Sequence, residues 1–141
     1  MKPHQSHGIA WIALSLALAV HVADEALNDF LSVYNPTVEA IRRRLPYLPL
    51  PVFTFEAWLT GLIVAVVALL ALSPLVFRGT RWMIPASYIF SAIMLFNGLG
   101  HCAGSIYMGT AMAGVYSSPL LIAASLYLLV TTHRALTVAA R

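Results

Sequence analysis

Long apolar stretches alternate with short polar or proline-rich segments along the chain, and this pattern predicts four membrane-spanning helices. The predicted spans cover residues 8–31, 52–77, 82–106 and 119–132, and successive spans run antiparallel. The second span is nearly pure Leu, Val and Ala after Gly61. The sequence therefore predicts an all-α fold, an integral membrane four-helix bundle that forms a single transmembrane domain over residues 1–141.

The composition excludes a soluble globular domain. Of the 141 residues, 60% are hydrophobic and only 9% are charged, and the mean hydropathy is +0.84. The single cysteine, Cys102, excludes an internal disulfide and a cysteine-based metal cluster. The first apolar run carries His21, Asp24 and Glu25 and lacks a small-residue cleavage site, so we expect a retained span rather than a signal peptide.

Basic residues lie at the ends of the predicted spans, which favours a role in membrane topology over nucleic-acid binding. The two predicted sides differ in basic residues: Lys2, Arg78, Arg81, Arg134 and Arg141 on one, and Arg42, Arg43 and Arg44 on the other. The positive-inside rule then predicts cytoplasmic N- and C-termini, and we expect a multi-pass protein of a bacterial cytoplasmic membrane. Between the first two spans, Tyr34-Asn35-Pro36 predicts a helix break, and residues 37–45 predict a short interfacial helix.

The first predicted span contains the motif His21-Val22-Ala23-Asp24-Glu25. A carboxylate near the middle of a bilayer costs about 2.5–3.5 kcal/mol, so these groups are expected to face protein rather than lipid. Residues i, i+3 and i+4 share a helix face, which groups the histidine with both acids. Adjacent residues nevertheless point about 100° apart, so one acid is expected to face the centre while the other binds a neighbouring helix.

Two other spans carry polar residues at a matching depth. Asn97 and His101 lie in the third span, and Glu56 lies near the start of the second. At a rise of about 1.5 Å per residue, His21 lies about 20 Å along the first span and Asn97 about 22 Å along the third. We therefore expect these side chains in one layer, under a roof formed by Tyr107, Tyr116, Ser117 and Ser118.

The layer has the residue types of a divalent metal site, with zinc or iron as the expected ion. We predict His21, Glu25 and His101 as the ligands, because two histidines and a carboxylate leave a coordination position open. Glu56 is predicted as general base or fourth ligand, and Asp24 and Asn97 as residues that orient the histidines. Membrane lipids surround such a site, so the expected substrate is an apolar or lipid-like molecule, such as an isoprenoid, and the expected enzyme is a hydrolase or an oxidase.

These residues resemble the motifs of the HXXEE family of small integral membrane proteins. The resemblance runs from about residue 10 to residue 130 and rests on His21-Val-Ala-Asp24-Glu25, Glu56, Asn97-Gly-Leu-Gly-His101 and Tyr116-Ser-Ser-Pro119. Asp24 stands where the family has its first Glu, which keeps the charge but shortens the side chain by one methylene. The resemblance implies a multi-helix membrane protein with a buried active site, and it defines no reaction.

Other readings of the same residues stay open. A proton- or ion-coupled transporter or channel is one, although four spans without a visible repeat favour it only in a homo-oligomer. Axial haem ligation by His21 and His101 is disfavoured by the nearby carboxylates. The polar layer also fits a non-catalytic scaffold in which a His–carboxylate network fixes helix packing. His4 and His7 are expected in a solvated tail.

The two acids and the Asn/His pair are also similar to the CAAX-type intramembrane metalloproteases. That family has an arginine one helical turn after its Glu-Glu pair, where this chain has Asp29. The likeness therefore serves as an analogy for an intramembrane metal site and no more.

Overall fold

A computed structural model describes residues 3–139, so that Lys2 and Arg141 of the topology argument lie outside the described residues. Within that range the chain forms helices and no strand, which confirms the all-α prediction. The helices are α1 (Pro3–Leu27), α2 (Leu31–Arg44), α3 (Phe55–Ala71), α4 (Ser73–Phe77), α5 (Met83–Met108) and α6 (Ser118–Ala139).

Four helical segments between residues 3 and 139 are long and apolar enough to cross a membrane. They are Pro3–Leu27, Phe55–Phe77, Met83–Met108 and Ser118–Val138, and the second consists of α3 and α4 together. The first span therefore begins and ends several residues earlier than predicted, and the fourth continues beyond its predicted end. The chain has the architecture of a multi-pass membrane protein.

The first span ends at Asn28–Phe30, and the predicted break at Tyr34–Pro36 is wrong. Asp29 adopts a left-handed conformation with φ of 54°, which Asp and Asn tolerate better than most residues. Asn28 stabilises the helix end, since its side-chain amide donates to the Asp24 carboxylate at 2.8 Å. Pro36 instead lies inside α2, where the carbonyl that loses its partner belongs to the exposed Ser32.

Helix α2 is tied to the extended segment that precedes α3. The Asn35 amide donates to the carbonyl of Phe53 at 2.9 Å, and its Oδ1 accepts from the Phe53 N–H at 3.1 Å. The Tyr34 hydroxyl adds a bond to the carbonyl of Pro51. Helix α3 then begins at Thr54, whose side chain accepts from the Ala57 N–H as an N-cap. These bonds hold the aromatic rings of Tyr34 and Phe53 close to the start of α3.

Side chains satisfy the backbone at the junction of α3 and α4. Pro74 has no N–H to offer the carbonyl one turn before it, and the Ser73 hydroxyl donates to that Leu70 carbonyl instead, at 2.6 Å. The neighbouring Leu69 carbonyl accepts from the Trp11 indole N–H at 2.7 Å. The junction is thereby fixed to α1 deep within the bundle.

Helix α1 occupies the centre of the bundle and packs against α6, α4 and α3, while α5 pairs with α6. The apolar core joins α1 to its neighbours through Trp11, Leu14, Met83, Leu121 and Leu128. Gly98 lets α5 approach α6 closely, because a Cβ there would lie 3.3 Å from the carbonyl oxygen of Ser118. Helices α3 and α5 make almost no contact with each other, so a gap remains between them on one side of α1.

Candidate metal centre

His21, Glu25 and His101 meet in the interior of the bundle. His21 and Glu25 lie one turn apart on α1, and His101 reaches them from α5. Their exposed fractions are 1%, 4% and 7%. The Glu25 Oε1 lies 3.0 Å from the His101 Nε2 and 3.6 Å from the His21 Nε2. Over residues 3–139, this is the one group of three or more His, Cys, Asp or Glu side chains that fits a metal ion, with its ligand atoms within 4.8 Å of one another.

The two separations that involve Glu25 are close to those of tetrahedral coordination. Two ligands bonded to zinc at about 2.0–2.1 Å and separated by a tetrahedral angle lie about 3.3 Å apart. The separations of 3.0 Å and 3.6 Å lie on either side of that value, each within about 0.3 Å of it. The donor set of two imidazoles and a carboxylate is one that zinc and non-haem iron accept.

His21 is oriented by a chain of two hydrogen bonds. Its Nδ1 lies 2.8 Å from the Ser117 Oγ. Ser117 in turn lies against the Asp24 Oδ2, which accepts from its hydroxyl at 2.7 Å and from its backbone N–H at 2.8 Å. The single hydroxyl proton of Ser117 goes to the charged carboxylate, with the Gly114 carbonyl as a second acceptor at 3.1 Å, so the serine oxygen accepts from the His21 Nδ1–H. In the neutral ring, the Nε2 lone pair of His21 therefore faces Glu25.

This tautomer leaves a local imbalance of charge. The His21 Nε2 is buried and has no hydrogen-bond partner in the described part of the chain. A nitrogen lone pair and a carboxylate oxygen 3.6 Å apart repel each other unless a positive charge lies between them. A proton or a metal cation supplies such a charge, and a hydrogen bond to the other ring nitrogen is also found in histidines that bind metals.

His101 is positioned by packing rather than by a second hydrogen bond. Its Nδ1 is buried without a hydrogen-bond partner among residues 3–139. Its ring makes an edge contact with the His21 ring at 4.8 Å and packs against Phe30 at 5.6 Å. Gly114 lies against both imidazoles, since a Cβ there would be 2.8 Å from the His101 ring and 2.9 Å from that of His21. Its φ of 84° also favours glycine.

A cavity of about 530 Å³ opens from this cluster into the gap between α3 and α5. His21, Glu25 and Asn97 form its polar end. The Asn97 Oδ1 is buried and has no hydrogen-bond partner within the described range. The remaining walls are mostly apolar: Leu18, Val22, Phe30, Tyr34, Phe53, Ala57, Trp58, Gly61, Leu62, Ala65, Leu69, Phe90, Ile93 and Met94. Such a volume is typical of a small-molecule site.

Most of the predicted site residues lie at or beside the cluster, and Glu56 does not. The three predicted ligands lie together, Asn97 lies on the adjoining cavity wall, and Asp24 contacts His21 only through Ser117. Glu56 lies elsewhere, exposed in the first turn of α3. On α3 the cavity is lined by the face that carries Ala57 and Gly61. Glu56 precedes Ala57, so its side chain points about 100° away from that face. Glu56 instead places its charge at the N-terminus of α3, where the helix dipole favours it.

The predicted roof is half correct. Ser117 and Ser118 are buried at the start of α6, and Ser117 contacts the site directly. Tyr107 and Tyr116 are exposed, and Tyr107 lies in the last turn of α5, which continues to Met108. Phe30 and Gly114 are the contacts of His101 that sequence reasoning missed. Gly114 could have been found from the sequence, because it is a glycine in the short connection just before Tyr116-Ser-Ser-Pro119.

The expectation of a solvated tail for His7 is wrong. Helix α1 begins at Pro3, so His7 lies within the bundle, 1% exposed, and its Nε2 lies 2.8 Å from the Ser87 Oγ. His4 is half-buried beside Gly79.

Compared with protein-family models, with curated proteins and with solved structures, the chain matches none of them. The resemblance to the HXXEE family stays a prediction from the motifs. The function therefore has to be argued from the site itself.

Proposed function

We propose that this chain is a metal-dependent membrane enzyme of the hydrolase or oxidase type that acts on a lipid-like or isoprenoid substrate. His21, Glu25 and His101 hold a divalent ion, zinc or iron, in this proposal. The observation that carries it is the position of these three buried donors at the polar end of an otherwise apolar cavity between membrane-spanning helices. Polar groups within a membrane protein are costly and are commonly functional.

The donor set supports a catalytic rather than a purely structural ion. Three protein ligands leave a fourth position of a tetrahedral ion open, as in catalytic zinc sites. His21 and Glu25 both line the cavity, so an ion held by them would be reachable from it. When bound, such an ion polarises a substrate carbonyl or activates water for attack.

The protein residues around the ion have separate tasks. Asp24 and Ser117 fix the ring of His21, and a fixed ligand loses less freedom when the ion binds. Asn97 presents an unpartnered amide oxygen on the cavity wall, where it can accept a hydrogen bond from the polar group of a substrate. The apolar walls exclude water around the reacting bond. Glu56 lies outside the cavity lining, so the proposal gives it no part in the site.

The resemblance to the HXXEE family and the membrane orientation belong to the same proposal. We assign the termini to the cytoplasmic side of a bacterial membrane, with Arg78, Arg81 and Arg134 near that side and the arginines at the end of α2 opposite. The cluster then lies in the half of the membrane closer to α2.

Metal analysis tests the proposal directly. The protein is purified in detergent without chelators, and its zinc and iron contents are measured by plasma mass spectrometry beside His21→Ala and Glu25→Gln. We expect close to one ion per chain in the wild type and a loss of about tenfold or more in both variants. The controls are His133→Ala and Glu39→Gln, which alter exposed residues outside the cluster and should keep the ion.

A metal-free polar network is the second candidate function of this cluster. The 3.0 Å separation of the His101 Nε2 from the Glu25 Oε1 favours it, because this is the length of a direct charge-assisted hydrogen bond. Wild-type protein without bound metal, folded and monodisperse, would select this candidate over the enzyme.

A further inference from the structure

The cavity beside the cluster ends, along α3 and α5, at its lining residues furthest from His101. Leu69 and Phe90 line that end. Trp11 braces both, since its indole donates to the Leu69 carbonyl at 2.7 Å and its ring packs edge-on against Phe90 at 5.2 Å. Trp11 is itself fully buried. We call Leu69 and Phe90, with Trp11 behind them, the floor of the cavity.

The opposite end is polar and is covered by aromatic rings. Phe30 packs against Tyr34 at 5.4 Å, against Trp58 at 5.9 Å and against the ring of His101. Tyr34 packs on Phe53, which Asn35 holds in place. These rings lie between the His/Glu cluster and the α2 side of the membrane. A ligand therefore enters sideways from the bilayer, through the gap between α3 and α5.

Small residues keep that gap open. Ala57, Gly61 and Ala65 lie at intervals of four on α3, so they share one helix face, and all three line the cavity. Small residues on membrane helices usually let two helices approach closely. Here they face a cavity instead, and a Cβ added to Gly61 would have no heavy atom within 4 Å.

The distance between the cluster and the floor sets the length of the chain that the cavity can hold. His21 and Trp11 are ten residues apart on α1, which corresponds to about 15 Å along the helix axis. A fully extended backbone advances about 3.6 Å for every three bonds, so about 15 Å accommodates a straight chain of about 12 bonds. A hydrocarbon of that length reaches from the cluster to the floor.

We propose that the cavity holds one hydrocarbon chain of about 12 carbons, entered between α3 and α5, with its polar head at the His/Glu cluster and its end on the floor. The substrate class is thus an amphiphile with one medium-length chain in the cavity, and the floor residues select that length. This inference rests on the proposed function for the position of the head. The length limit itself depends on the floor and not on the ion.

The test uses straight-chain fatty acids of about 8 to about 18 carbons as probes. The protein is reconstituted in nanodiscs, each probe is equilibrated with it, and retained probe is measured by mass spectrometry against empty nanodiscs. Both samples contain the same lipid, so the difference between them reports retention by the protein rather than partition into the bilayer. We expect retention by the protein to fall about tenfold or more once the chain exceeds the floor, because overpacking is costly.

Two pairs of variants locate the chain. Gly61→Leu fills the gap and should lower retention of every probe about tenfold, whereas Gly100→Leu, on an exposed face of α5 that is equally open, should leave it unchanged. Leu69→Ala makes the cavity longer at the floor and should raise the longest retained chain by about two carbons. Leu70 lies next to Leu69 but outside the lining, so Leu70→Ala should leave that length unchanged.

Retention that stays level to the longest probe, or that responds equally to both members of each pair, overturns the inference. Metal content is measured on the same samples. A length limit without metal refutes the proposed enzyme and leaves the cavity assignment intact, whereas metal without a length limit refutes the cavity assignment alone.

Discussion

Helix α1 carries two buried histidines, and their nearest contacts are almost identical. His7 and His21 are each 1% exposed. Each has one ring nitrogen 2.8 Å from a serine hydroxyl, Ser87 for the first and Ser117 for the second. In each, the other ring nitrogen is buried without a partner in the described structure. Burial and a serine bond therefore do not distinguish a ligand from a packing residue.

The two histidines differ in what their serine partners contact. Ser117 is bound by the Asp24 carboxylate, which fixes its proton and therefore the ring proton of His21. The free nitrogen of His21 faces Glu25 and lies with a second histidine in a group that suits a metal ion. Across residues 3–139, no such group includes His7. The comparison teaches that a charged partner, a convergent second ligand and an adjoining cavity mark the candidate site.

The largest expected difference between the surroundings of His7 and those of His21 is in metal content. His101→Ala removes a ligand of the proposed ion, and we expect the metal to be lost. His7→Ala should keep the metal and should instead lower the free energy of unfolding by about 1–3 kcal/mol, because Ser87 loses its partner. Plasma mass spectrometry and thermal unfolding of the two purified variants measure both effects. Equal metal loss in both variants would refute the distinction.

A smaller difference is expected for the two serines. Ser117→Ala removes the hydroxyl that fixes the His21 ring, together with one of the hydrogen bonds to Asp24, so metal affinity should fall about 10–100-fold. Ser87→Ala makes the same chemical change at His7, and the metal affinity should not change. Competition with a chromogenic chelator gives both affinities. If Ser117→Ala binds metal as the wild type does, the hydrogen-bond chain has no role in ligand orientation.

Two glycines make a third matched pair. Gly114 has φ of 84° and lies against His101, and Gly79 has φ of 69° and lies against His4. Alanine at either position adopts a disfavoured backbone conformation that costs about 1–2 kcal/mol. Only Gly114→Ala also places a Cβ 2.8 Å from a proposed ligand, so metal affinity should drop about tenfold in that variant alone. An unchanged metal affinity in both variants, measured by the same chelator competition, would show that the His101 ring moves freely.

The sequence predicted the fold class and the three proposed ligands for separate physical reasons. Uninterrupted apolar stretches leave few alternatives to spanning helices, and helix rise alone places His21 and His101 at similar depth. The helix limits were less predictable, because Pro36 falls inside α2 and Asp29 supplies the real break. The role of Ser117 depends on how α6 begins, and the burial of His7 on how α5 packs, and neither is visible in a periodic pattern.

Glu56 shows where depth fails as a predictor. Depth places it with the other polar residues, but depth does not say which way a side chain points. On α3 the cavity face includes Ala57 and Gly61, and Glu56 is rotated away from it into an exposed position. Its carboxylate lies in the first turn of the helix, which favours negative charge.

The smallest expected effect is therefore that of Glu56→Gln. We expect its metal content and fatty-acid retention to equal those of the wild type, because Glu56 belongs to neither the cluster nor the cavity lining. Loss of the charge at the N-terminus of α3 should lower the unfolding free energy by a few tenths of a kcal/mol, at most about 1 kcal/mol. Thermal unfolding, metal analysis and probe retention are measured on one preparation. A loss of metal comparable to that of Glu25→Gln would restore Glu56 as a ligand and would require α3 to rotate by about 100° towards the cluster.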